Sequence, residues 1–140
     1  MNRHAAGTRK SGRKESAFDG LPVTEIGAGA FSRCKRLEAI RLPETLQTIE
    51  MLTFYLCESL KEITVPASVT AIKSCAFDWC SSLAAITIEN PDCEIFDAGR
   101  TISNGCRKQI DYFNGTIYGH AGSTAKAYAQ KYGYPFACRR

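Results

Sequence analysis

Apolar residues return at a fixed offset of 23 along the middle of this chain. Phe31, Phe54 and Phe77 are followed in turn by Cys34, Cys57 and Cys80, by Leu37, Leu60 and Leu83, and by Ile40, Ile63 and Ile86. Leu42, Val65 and Ile88 close the frame, and Val23, Leu46 and Val69 stand three residues ahead of Ile26, Ile49 and Ile72. A period in the range of about 20 to 50 residues means stacked supersecondary units, none of which can bury its own apolar face alone. Such an arrangement makes a surface for binding more readily than a catalytic pocket.

Within a unit, Ile40, Arg41, Leu42 and Pro43 alternate inward and outward and stop at a proline that cannot extend a ladder, which predicts a short strand. Ile63 to Pro66 repeats it, and Ile86, Thr87 and Ile88 alternate likewise before a delayed Pro91. One strand per unit then stacks into a parallel sheet. The pair Val69 and Ile72 lies on a returning arm, and the spacing of three from Phe to Cys to Leu predicts a short helical turn. Further on, Ser123 is placed to cap a helix from about Thr124 to Tyr132, with Ala125, Tyr128, Ala129 and Tyr132 on one face. Gly133 ends it, Pro135 prevents its resumption, and Phe136 to Cys138 adds a final strand.

The pattern Val-x-x-Ile-x-x-x-Ala-Phe-x-x-Cys-x-x-Leu-x-x-Ile-x-Ile-Pro resembles the BspA-like leucine-rich repeat family of bacterial surface proteins. Asp19-Gly20-Leu21-Pro22-Val23-Thr24-Glu25-Ile26-Gly27 resembles the start of such an array, and Thr116-Ile117-Tyr118-Gly119-His120-Ala121-Gly122-Ser123-Thr124-Ala125 resembles its closing segment. Glu50 and Lys73 replace the glycine seen at Gly27, and Thr53 replaces the usual alanine, so local turn geometry there departs from the pattern. The resemblance implies an α/β solenoid, a right-handed leucine-rich-repeat-like stack of about three 23-residue units with short parallel strands, short helical turns and a cap containing one helix. It also implies adhesion to a protein or glycan ligand on a host or bacterial surface, and a cell-surface or secreted location.

Length allows one domain, with an expected division into a disordered basic tail at 1–18, the repeat array at 19–90 and a C-terminal cap at 91–140. The tail holds Arg3, Arg9, Lys10, Arg13 and Lys14 with almost no apolar residue, and it carries much of the net charge of +4. Without it the remainder is close to neutral, which argues against a basic, nucleic-acid-reading face on the repeats. The tail itself would give weak, salt-sensitive attachment to anionic polymers. No apolar run of signal-peptide or membrane-span length is present, so export is not encoded here and a cytoplasmic location stays open beside the surface one.

Seven cysteines leave at least one thiol free. Cys34, Cys57 and Cys80 are expected to point inward as small buried hydrophobes. In an oxidising compartment Cys93 and Cys106 are the candidate cap disulfide. Cys75 and Cys80 lack a second ligand pair, so no metal is expected. His4 and His120 belong to no nucleophile or acid-base set, and Gly27 and Gly29 lack the helix and lysine of a phosphate loop. Neither an enzyme nor a cofactor is expected.

Two outward surfaces remain. Arg41, Glu62, Thr64 and Thr87 form a polar strip on the strand face, against which ordinary sheet solvation is the plain alternative. On the turn side the two positions between Phe and Cys are expected to face away from the core, as Ser32 and Arg33, Tyr55 and Leu56, and Asp78 and Trp79. Tyr55, Leu56 and Trp79 then make an apolar patch of the kind enriched in binding hot spots. Its alternative is that Met51, Leu52 and Trp79 fold over the edge of a small core. The function expected is a monomeric, non-enzymatic interaction or adhesion module, and the competing one is a structural spacer within a larger surface protein.

Overall fold

The computed structural model describes residues 17–18, 21–107 and 110–139. The expected tail at 1–18 thus falls almost wholly outside the described residues, as do Asp19, Gly20 and the side chain of Cys106. In chain order the elements are β1 (Ala17–Phe18), β2 (Leu21–Pro22), β3 (Glu25–Ile26), β4 (Thr48–Ile49), β5 (Glu62–Val65), β6 (Ala71–Ile72) and β7 (Ala85–Ile88). They continue as β8 (Glu94–Ile95), a 3-10 turn at Gly99–Thr101, β9 (Gly105–Arg107), β10 (Ile110–Tyr112), β11 (Thr116–Gly119), α1 (Thr124–Tyr132) and β12 (Phe136–Cys138). β1 with β2, and β9 with β10, are antiparallel pairs.

Two four-stranded parallel sheets organise the rest, where the sequence predicts one. Strands β3, β4, β6 and β8 lie side by side, with Ile26, Ile49, Ile72 and Ile95 in register. The arm carrying Val69 and Ile72 therefore supplies a second strand in each unit. Strands β5, β7, β11 and β12 form the other sheet, with Ile63, Ile86, Ile117 and Phe136 in register. Both sheets run on past residue 90, because β8, β11 and β12 add to ladders begun by the earlier units.

The expected strand at Ile40–Pro43 is not formed. Its failure has a cause in the next unit. In the later unit Glu89 donates its N–H to Val65 O at 3.0 Å and closes the ladder, but the residue in that register one unit earlier is Pro66, which has no N–H to give. Only Lys61 N to Glu38 O, at 3.3 Å, joins the backbone of 38–42 to that of 61–66 among the described residues.

Between the sheets each unit turns twice, and the expected helical turn is replaced by a different device. Ala30, Ser32 and Cys34 donate to carbonyls three residues back, whereas Gly29, Phe31 and Arg33 donate to Met51 O, Thr53 O and Tyr55 O of the next unit. Leu52, Phe54 and Leu56 donate in the same way to Ser74 O, Ala76 O and Asp78 O. Every second N–H is thus used between units, which a continuous helix would not permit. Positive φ accompanies these bonds at Gly29 (69°) and Leu52 (60°), and again at Arg33 (64°) and Leu56 (59°), and Cys75 (56°) and Trp79 (60°) share the two registers. Each set falls at a 23-residue offset.

The departures at Glu50, Lys73 and Thr53 leave this geometry intact. Thr53 N donates to Glu50 O and Ala76 N to Lys73 O, as Ala30 N does to Gly27 O. Thr53 is fully buried, and its hydroxyl finds Glu50 O at 2.7 Å. Inside the stack Phe31, Phe54 and Phe77 lie ring on ring, with centroids 5.4 and 5.1 Å apart and planes within 1° and 6° of parallel. The helix α1 has the bounds that the sequence predicts. Ser123 Oγ accepts from Lys126 N, and Gly133 ends the helix at φ 74°. Tyr128 and Tyr134 both donate to Gly99 O, and the Tyr128 hydroxyl also accepts from Ile102 N, so α1 and the chain after it hold the 98–102 segment.

Candidate functional site

Loss of the ladder beside Pro66 opens a groove on the strand face. Its volume is about 400 Å³, and both walls contribute, Arg41 and Leu42 from one side and Glu62, Ile63 and Thr64 from the other. Inward residues such as Ile63 line it as well as outward ones, so the groove penetrates between 39–42 and β5. Arg41, Glu62 and Thr64 are exposed and share this groove. Thr87 lies one strand further in, directly opposite Thr64 and half-buried. Tyr118 pairs with Thr87 in turn and continues the same outward row, as the chain's closing segment joins the sheet. Sequence reasoning missed Tyr118 because the spacing from Thr87 to Tyr118 breaks the period of 23.

The turn face is less simple than its sequence suggests. Tyr55, Leu56 and Trp79 are half-buried, with the Arg33 guanidinium 5.7 Å from the Tyr55 ring centroid. Trp79 packs on the closing segment: a Cβ at Gly105 would lie 3.4 Å from its ring. Gly105, at φ 150°, has a backbone conformation that other residues rarely adopt. Asp78, expected to face outward, is instead only 1% exposed and bonds Arg100 at 2.8 Å. Its carboxylate is turned in because the following unit stacks over it and supplies the cation. Met51 and Leu52 do not fold over the core edge, since they are 49% and 37% exposed. Comparing registers would have flagged them, because Ala28 and Gly29, or Ser74 and Cys75, stand there in the neighbouring units.

The thiols are placed for packing. Cys57 Sγ donates to Phe31 O and Cys80 Sγ to Phe54 O, each at 3.1 Å. Burial, and then the neighbouring Cys34 thiol, push Cys57 up to about 12, and burial pushes Cys80 up as well. Cys34 is only half-buried, contrary to expectation, and among the described residues no earlier unit covers it as Phe31 and Phe54 cover Cys57 and Cys80. Cys93 is a free, fully buried thiol that burial raises to about 12. No cluster of three or more metal-ligating side chains occurs among the described residues. At the other end of the molecule Lys131 and Tyr132 both donate to Asp97, and those bonds, Lys131's first, hold its carboxyl below the usual range.

The family model for the BspA type leucine rich repeat region (6 copies) matches residues 18–108. No curated protein and no solved structure matches the chain. The matched span contains β3 to β8, whose pairing repeats at the same 23-residue offset as the apolar frame. On that agreement of sequence frame, strand register and family match, the chain belongs to the BspA-type leucine-rich repeat family.

Proposed function

We propose that this chain is an adhesion module that holds a protein or glycan ligand of a host or bacterial surface on its strand face. Repeats of this family are protein-interaction modules in general, generally without enzymatic activity, and are common in surface proteins. The observation that carries the reading is the groove of about 400 Å³ in which Arg41, Glu62 and Thr64 come together, with Thr87 on the adjoining strand. Ladder bonds between β5 and β7 fix the backbone that carries Glu62, Thr64 and Thr87 before a partner arrives, so less ordering entropy is lost on binding. We read the two parallel sheets as the walls of a right-handed solenoid, with the array at 19–90 closed by a cap at 91–140. Tyr55, Leu56 and Trp79 are a secondary contact surface in this scheme, since part of the Trp79 ring is already used against Gly105. The site of action is the cell surface or its exterior. No helix among the described residues is long and apolar enough to cross a membrane.

The test is capture on an immobilised chain, using a glycan array and purified surface proteins as prey. Joint replacement of Glu62, Thr64 and Thr87 by alanine is expected to abolish capture while Tm moves by no more than a few degrees. Undiminished capture would reject the strand face, and capture of nothing by the unaltered chain would leave the spacer role.

A further inference from the structure

We infer that the surface around β8 is a sugar site, at which an uncharged oligosaccharide stacks one ring on Phe96 and donates hydroxyl hydrogen bonds to Glu94 and Asp97. The site belongs to the sheet of β3, β4, β6 and β8, so it goes beyond the strand-face reading and does not rest on it. Phe96 stands in a register that holds Gly27, Glu50 and Lys73 in the earlier units, and it is 49% exposed. Packing does not account for an aromatic ring there. Its backbone is nonetheless held three times: Phe96 N donates to Ile72 O at 2.9 Å, and Phe96 O accepts from Ala98 N at 2.8 Å and from Thr101 Oγ1 at 3.0 Å. The ring is thus carried in the open on a fixed backbone, which lowers the ordering cost of meeting a ligand.

Room for the ligand lies beside the ring. Two hollows, of about 320 and 330 Å³, adjoin across β8 and share Glu94, Ile95 and Asp97. Both fall in the range of about 300–1,000 Å³ usual for small-ligand sites. The first is lined by Phe96, Lys73 and Ala71, the last being the smallest side chain in its row of Glu25, Thr48, Ala71 and Glu94. The second reaches Thr124 and Lys131 of α1. Lys131 and Tyr132 each donate to one oxygen of Asp97, and a carboxylate has about four lone-pair sites, so Asp97 is positioned and can still accept from hydroxyls. Glu94 is exposed and has no side-chain partner among the described residues. Lys73 and Lys131 match Glu94 and Asp97 in number, and Glu50, one rung from Lys73, adds only negative charge, so nothing here favours an anionic glycan. Charged neighbours around a lone ring also suit a protein interface poorly, because interface centres are depleted of charge. A pyranose matches the surface, with a C–H face for the ring and hydroxyl donors at its rim for the carboxylates.

The experiment titrates the full chain with neutral tetrasaccharides of glucose, galactose, mannose and N-acetylglucosamine, and with their sulfated counterparts, read by saturation-transfer NMR. One or more of the neutral sugars is expected to bind, with transfer strongest at its ring C–H protons, and more tightly than its sulfated form. Phe96→Ala is expected to weaken binding about tenfold with Tm unchanged, and Phe96→Trp, which keeps the platform, to preserve it. Glu94→Gln should weaken it about threefold. Joint replacement of Glu62, Thr64 and Thr87 by alanine should leave it unaltered, so this site and the strand face fail separately. Binding of none of the neutral sugars, tighter binding of a sulfated one, an inert Phe96→Ala, or loss of binding in the strand-face variant would each overturn the inference. So would a Phe96-dependent dimer in sedimentation, which would give the ring to a second copy of the chain.

Discussion

Six residues in two registers adopt the left-handed backbone region, and five of them are not glycine. For an L-residue this conformation costs roughly 1–2 kcal/mol. Here the cost is offset by inter-unit bonds such as Leu52 N to Ser74 O and Leu56 N to Asp78 O. Leu52→Gly is therefore expected to be neutral or stabilising by up to about 1 kcal/mol in urea denaturation, with relief of strain set against glycine's unfolded entropy. Leu52→Val, branched at Cβ, should destabilise by more than about 1 kcal/mol. Gly115 is constrained by space: an added Cβ would lie 2.7 Å from the Phe113 ring and 2.8 Å from the carbonyl oxygens of Leu83 and Ala84. Gly115→Ala should cost upwards of about 3 kcal/mol by the same measurement. None of these conformations was legible in the sequence, because leucine, cysteine and tryptophan give no cue to positive φ. The inward set was legible, since Val23, Ile26, Phe31, Leu37 and their repeats follow a period that only burial explains.

Elements show the same division between local rules and neighbour effects. α1 could be read with both of its ends, because Ser123 and Gly133 act through the nearest turn of backbone. The strand at Ile40–Pro43 was wrongly expected because its own residues alternate well, and the fault lies in Pro66 of the next unit. The second sheet went unseen because strands of two residues carry too little alternation to announce themselves. Of the candidate site, the strip on β5 and β7 was visible in the sequence and the groove beside it was not. Stacking makes the middle of the stack the sensitive place: among the described residues Phe54 touches a ring on each side, whereas Phe31 is stacked on one. Phe54→Ala should therefore lose about 3–5 kcal/mol, and Phe31→Ala less, in denaturant titrations of the two variants.

Across the whole molecule, the buried thiols couple stability to alkaline pH. Cys57 and Cys93 are raised to about 12 from an ordinary value of 9.0, and Cys80 is raised as well. Folded thiols stay protonated where unfolded ones ionise, so this contribution is complete below about pH 9 and is lost as pH rises from there through the folded values. Tm is expected to fall across that window, and to fall less steeply in Cys57→Ala once its lower starting stability is subtracted. In native protein at pH 8, alkylation followed by peptide mass spectrometry should mark the exposed Cys138 well before Cys57, Cys80 or Cys93.

The direction of the inter-unit bonds has a mechanical consequence. Hydrogen bonds in both sheets and along the turns run from one unit to the next, so tension applied along that direction loads them a rung at a time, as in unzipping, and not all together in shear. The first unit lacks the ladder beside Pro66 and should peel at the lowest force, whereas the far end is fastened by the Tyr128 and Tyr134 hydroxyls and yields last. A chain built this way and held under tension would lengthen from one end while its opposite end stayed folded.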